Sequence, residues 1–240
     1  MLRLTILCYF LGGIAICDLV GNRAVAEAAE FKSEAGISFQ YPDEWTVLSE
    51  LNQEQFTPAV QAYVKESQID LRAIHVMVVR LNDSDFQENM NVVITPHEVP
   101  VTASSIEKFL PQIKSQNATT GIQMSELSGD LITIADRQAI NLTFKTKLPF
   151  EDNLLQQRQV LIPGGGQTFT ITFTALPTTY SQHVGAFDSV LQSLKLAPQQ
   201  SSFNWDAIGR LCGTMIGVPI GVIVFFQIKK RWGKPASPKA

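Results

Sequence analysis

The side chains best suited to move protons or hold a transition metal near neutral pH are the three histidines, His75, His97 and His183. They are far apart in the chain, and no H-E-x-x-H or H-x-H pattern joins two of them, so zinc chemistry lacks a local ligand set. His75 and Met77 stand two residues apart in an extended run and would share a strand face; a packed or hydrogen-bonded histidine is the expectation there. Asp83, Asp85 and Glu88 gather carboxylates of the kind calcium takes. The spacing and glycine of an EF-hand loop are absent, and a solvated hairpin tip is the simpler reading. Glu151-Asp152 is a weaker case of the same kind. Gly164-Gly165-Gly166 has the composition of a phosphate cradle, but a cradle needs a helix after it, with amides facing the anion. An alternating strand pattern follows instead, which makes this a hairpin turn needing positive φ. There is no G-x-S-x-G elbow. The sequence therefore assigns no catalytic residue, no metal ligand and no cofactor, and the domain is read as non-enzymatic. Local motifs say nothing of a triad assembled across a fold, so an unrecognised hydrolase stays as an alternative.

These residues sit on a regular succession of elements. Gly36 to Pro42 alternates apolar and polar residues, a short strand with Ile37, Phe39 and Tyr41 on one face, and Trp45 and Val47 follow as core. Thr57-Pro58 opens a helix with Val60, Tyr63 and Val64 facing inward. Leu71 to Leu81 reads as a central strand covered on both faces, and Asn91 to Thr95 pairs with it as a hairpin. Ser104-Ser105-Ile106-Glu107 fits a capping box, and Ile106, Phe109, Leu110 and Ile113 repeat at helical spacing, with Pro111 placed to bend the helix. Strands follow over Leu131 to Ala135 and Ala139 to Thr146, turning at Asp136-Arg137, then over Leu154 to Ile162. Thr168 to Thr174 alternates cleanly, with Phe169, Ile171 and Phe173 predicted inward and the threonines outward. Val184, Phe187, Val190, Leu191 and Leu194 trace one face of a last helix. Hairpins in series with interspersed helices predict an α+β domain, an antiparallel sheet covered by helices.

Both ends of the 240-residue chain point to a membrane. Residues 1–26 read as a secretory signal: Arg3, an apolar run from Leu4 to Cys17, and Ala24-Val25-Ala26 as an A-x-A cleavage site. Cleavage after Ala28 fits nearly as well, and an uncleaved anchor or a lipid-modified Cys17 are the rival readings. Residues 208–228 read as a single transmembrane helix, with Leu211 to Ile228 free of charge and Lys229, Lys230 and Arg231 closing it. A soluble amphipathic helix would need a polar face, which this run lacks. Gly209, Gly213, Gly217 and Gly221 recur every four residues, a stripe that would let a second helix approach closely for self-association or docking. Between the two ends lie a globular domain, residues 30–197, and a polar linker, residues 198–207. From Glu27 to Trp205 there are 11 Lys and Arg against 20 Asp and Glu, whereas the tail, residues 229–240, is basic and without acids. This division places the acidic domain outside the cytoplasm, in a periplasm or its equivalent, and the tail inside. It also argues against nucleic acid as a partner. The domain has no cysteine, since Cys8, Cys17 and Cys212 fall in the terminal segments, so a thiol nucleophile is excluded from it. Asn82, Asn117 and Asn141 sit in short sequons of the kind that arise by chance.

Two phrases resemble the PsbP-like family: Gly36-Ile37-Ser38-Phe39-Gln40-Tyr41-Pro42 followed by Trp45, and Phe187-Asp188-Ser189-Val190-Leu191-Gln192-Ser193-Leu194. The strand Gln167 to Thr174 falls between them where that family places a strand before its last helix. The resemblance covers roughly Phe31 to Leu196 and departs where the family usually holds a glycine and this chain has Asp136-Arg137. It implies an antiparallel sheet sandwiched by helices and a role in binding or assembly, with no invariant functional site. The reading that follows is a membrane-tethered module presenting an acidic surface to a protein partner or membrane complex. The alternative is a carrier of a small apolar or lipid ligand between sheet and helix.

Overall fold

The computed structural model describes residues 28–48, 74–80, 86–119, 121–149 and 153–198, without the side chains of 116 and 119. The helix expected from Thr57, the carboxylates of Asp83, Asp85, Glu151 and Asp152, the signal, the span and its glycine stripe lie outside the described residues. Within them, no helix is long and apolar enough to cross a membrane.

Ten strands and two helices make up the described part. The strands are β1 (Ala29–Lys32), β2 (Ile37–Tyr41), β3 (Trp45–Leu48), β4 (Ile74–Arg80), β5 (Asn89–Pro96), β6 (Gln123–Ile134), β7 (Arg137–Lys147), β8 (Leu154–Gly164), β9 (Gln167–Ala175) and β10 (Lys195–Leu196). Helix α1 (Ala103–Thr119) follows β5, and α2 (Tyr180–Ser193) follows β9. Seven strands form one antiparallel sheet in the order β3-β4-β5-β9-β8-β7-β6; β1, β2 and β10 form a second, small one. The expected α+β sandwich is therefore present, with a second sheet that periodicity did not announce.

Each helix covers one face. On one side Val92, Val160, Ile171 and Phe173 of the large sheet pack against Phe187, Val190 and Leu191 of α2, and Ile37 and Phe39 of β2 close the same cluster. On the other, Ile140, Leu142, Phe144 and Leu161 pack against Ile106, Phe109 and Ile113 of α1. Burying a side chain of this size contributes about 1.5–3 kcal/mol, so these two layers dominate the stability of the fold.

Local chemistry sets the connections, sometimes one or two residues from where the sequence placed them. The cap of helix α1 lies two residues before the expected Ser104: Thr102 Oγ1 accepts the Ser105 amide proton at 3.1 Å, and the helix runs through Pro111. The β6–β7 turn falls on Ala135 and Asp136, with φ of 48° and 60°, rather than on Asp136-Arg137. Both central residues at positive φ match the twist of a two-residue hairpin turn. Gly165 and Gly166, at 64° and 77°, make the β8–β9 turn in the same way, as their composition predicted. The largest correction concerns β9. Phe169, Ile171 and Phe173 point to α2 as expected, but Thr168, Thr170, Thr172 and Thr174 are buried as well. In a central strand both faces are covered, so alternation of polarity does not mean alternation of exposure.

Candidate functional site

The side chains singled out for their chemistry do not converge. A bulge in β4 between Ile74 and Val76 turns His75 away from Met77. His75 meets the Ser33 hydroxyl through Nε2 and lies edge-on to Phe31, whereas Met77 packs with Val79 and Leu48. Burial lowers the pKa of His75 from its ordinary value. His97 occupies the connection after β5 at φ 89°; its amide donates to Gly166 O at 2.9 Å and its carbonyl accepts from Thr168 Oγ1 at 2.9 Å. Among the described residues no three His, Cys, Asp or Glu side chains are grouped as metal ligands.

Glu88 is a fastener rather than part of a solvated tip. Its carboxylate is buried, accepts from Thr179 Oγ1 at 2.8 Å and faces Arg80 Nη1 at 3.5 Å. The same guanidinium nitrogen lies 3.4 Å from His183 Nε2. The cluster ties the β4–β5 hairpin to the start of α2, where Thr179 directs its hydroxyl away from the helix it caps. A second chain crosses the sheet. Asn141 Nδ2 donates to Asp130 at 2.8 Å, Arg158 Nε donates to Asn141 at 2.8 Å, and Arg158 Nη1 donates to Asp188 of α2 at 2.5 Å. Arg158 also stands over the ring of Phe187, 5.4 Å from its centroid. Burial pushes the Tyr180 phenol up; Arg158 works against that shift and Asp188 adds to it.

The glycine turn has a structural partner that the sequence did not reveal. Arg137 donates to the carbonyls of Pro163, Leu196 and Ala197 at 3.0, 3.2 and 2.6 Å. Gly165 N donates to Pro198 O at 2.7 Å, and Ala197 N to Gly36 O at 2.8 Å. A side chain at Gly164 would run into the Arg137 guanidinium. The turn thus receives the segment that follows α2 and holds the point where it leaves the domain.

Between the large sheet and α2 lies a void of about 10 Å³, lined by Tyr41, Pro42, Trp45, Phe173, Phe187 and Val190 among others. That is room for about one water-sized sphere, far below the few hundred Å³ of a ligand pocket. The two phrases that carried the family resemblance meet around this void. Ile37, Phe39 and Trp45 come from one, Phe187, Val190 and Leu191 from the other, and Gln40 N donates to Ser193 Oγ at 2.9 Å.

Residues 20–196 match the family described as PsbP-like protein. The chain belongs to the PsbP-like family. Among solved structures, the PsbP-like domain is similar to cyanobacterial PsbP (CyanoP) from Synechocystis sp. PCC 6803, with 16% identity and a TM-score of 0.50, over 73% of this chain and 96% of that one. LpqN of Mycobacterium tuberculosis, involved in cell envelope biogenesis, matches with 18% identity and a TM-score of 0.44, over 72% and 92%. Among curated proteins none matches in sequence. At 16% identity the likeness to CyanoP is one of fold, and it agrees with a motif set made of packing residues. The Asp136-Arg137 departure from the family pattern now has a structural role, because Arg137 is the residue that clamps the outgoing segment.

Proposed function

We propose that this PsbP-like domain is a non-enzymatic binding or assembly module, tethered by residues 208–228, which presents an acidic extracytoplasmic surface to a protein partner. The observation that carries the reading is how charge is distributed. All three arginines among the described residues, Arg80, Arg137 and Arg158, are engaged in fastening elements together. Among the described residues eight acids stand exposed, Glu34, Asp43, Glu44, Glu107 and Asp136 among them, against the five exposed lysines Lys32, Lys108, Lys114, Lys147 and Lys195. From Glu27 to Trp205 the sequence carries nine more acids than bases. Such a field steers association with a basic patch on a partner and disfavours anionic lipid and nucleic acid.

The void between the large sheet and α2 holds only about 10 Å³, so a carrier of apolar ligand would need its pocket elsewhere. The experiment is crosslinking of the full chain in intact membranes, followed by identification of what is recovered. The expected result is the same membrane-complex subunit in every repeat, with recovery weakened when Asp43 and Glu44 are changed to Lys. No reproducible partner, or recovery indifferent to that charge reversal, overturns the reading.

A further inference from the structure

The face of the large sheet opposite α2 carries at its centre a patch that is neither apolar nor charged. Across β5, β9 and β8, Asn89 stands opposite Thr174 and Thr174 opposite Gln157; two residues along, Asn91, Thr172 and Gln159 form the next row. The amide of Gln157 donates to Thr174 Oγ1 at 3.0 Å, and that of Gln159 donates to Thr172 Oγ1 at 3.1 Å, so this half of the patch satisfies itself. The β5 half does not. Asn89 Nδ2 donates to Gln87 O at 3.2 Å, leaving its Oδ1 without a partner. Asn91 has none at either end of its amide, and Thr170 Oγ1, on the neighbouring strand one row further, has none either. All three residues are at most 2% exposed.

Buried polar groups in folded proteins are paired in the great majority of cases, because an orphan keeps its full desolvation penalty. The missing partner must have a particular character. It has to donate to Asn89 Oδ1 and Asn91 Oδ1 and accept from Asn91 Nδ2. A cation cannot accept, an anion cannot donate, and an apolar guest can do neither. The residues are closed to solvent, so the guest is small. We propose that Asn89, Asn91 and Thr170 bind ordered water inside the sheet layer, a hydrated site on the face away from the apolar void. Buried water with about three hydrogen bonds to otherwise unpaired groups is a regular component of protein interiors.

The test is the thermal unfolding of the full chain in detergent, comparing wild type with Asn91→Leu and Thr170→Val. Leucine and valine keep the shape of what they replace, so the sign of the change reports hydrogen bonding. If water satisfies the site, each variant loses about 2–6 °C in Tm, and the double variant loses less than the sum because both act on one network. If the groups are orphans in fact, removing them raises Tm, and that result overturns the proposal. Thr170→Val is the milder change and decides alone should Asn91→Leu fail to fold. An independent readout is a long-lived water contact to the Asn91 side-chain amide protons by NMR in the wild-type chain. A protected amide with no water contact overturns the proposal equally.

Discussion

Truncating Phe187 to Ala tests the central claim about the α2 layer, that it is a packed interior rather than the wall of a ligand site. The ring is 2% exposed, stacks on Phe173 with centroids 5.6 Å apart at 17°, and carries Arg158 above it. Removing a buried aromatic ring costs about 3–5 kcal/mol through lost transfer energy plus the cavity left behind. The stacked pair and the guanidinium contact place this site in the upper half of that range, at about 4–5 kcal/mol. For a domain of this size that corresponds to a loss of about 8–20 °C in Tm. The truncation also opens the existing void of about 10 Å³ into a dry apolar cavity, and such cavities take up benzene. Thermal unfolding with and without benzene is the assay. Benzene should raise the Tm of Phe187→Ala and leave that of the wild type unchanged. A loss below about 2 °C would show that the ring is not packed as described. Saturable benzene binding by the wild type would show that the α2 layer already holds a ligand pocket, and the carrier reading would return.

The other predictions concern the fasteners and the span. Arg137→Gln removes the charged fork on Pro163, Leu196 and Ala197, so amide exchange should speed up at residues 195–197 while the large sheet keeps its protection; unchanged exchange there would refute the clamp. His75 has its folded pKa lowered by burial, so between that value and the unfolded 6.5 the unfolded chain binds more protons, and stability is full above pH 6.5 and falls as pH drops through it. Denaturant titrations from pH 8 to 5 should show a smaller acid-side loss in His75→Gln than in the wild type; parallel curves would remove His75 as the cause. Gly213→Leu with Gly217→Leu should abolish self-association of the full chain in a membrane two-hybrid assay, and an undiminished signal would reject the glycine stripe as a contact surface.

The succession of β2, β4, β5, α1, β6, β7, β8, β9 and α2, the faces of both helices and the inward side of β9 were legible in the sequence, whereas β1, β3 and β10 were not. Each depends on hydrophobic periodicity, which is a property of a few consecutive residues. The glycine turn was legible for a similar reason, since positive φ at two successive positions selects residue type locally. The family was legible because its two phrases are packing motifs, and they pack against each other.

What tertiary structure alone decided are pairings between residues distant in the chain. No spacing announces that Glu88 serves the start of α2 from 91 residues away, that Arg137 clamps a carbonyl 60 residues downstream, or that His75 sits on a bulge facing Ser33. Nor could alternation tell an exposed threonine face from a buried one. Both read the same along a strand, and only the sheet order, which puts β9 between β5 and β8, makes Thr170, Thr172 and Thr174 interior. Amphipathic pattern records which side of a strand is apolar; burial of the other side depends on what the rest of the chain lays over it.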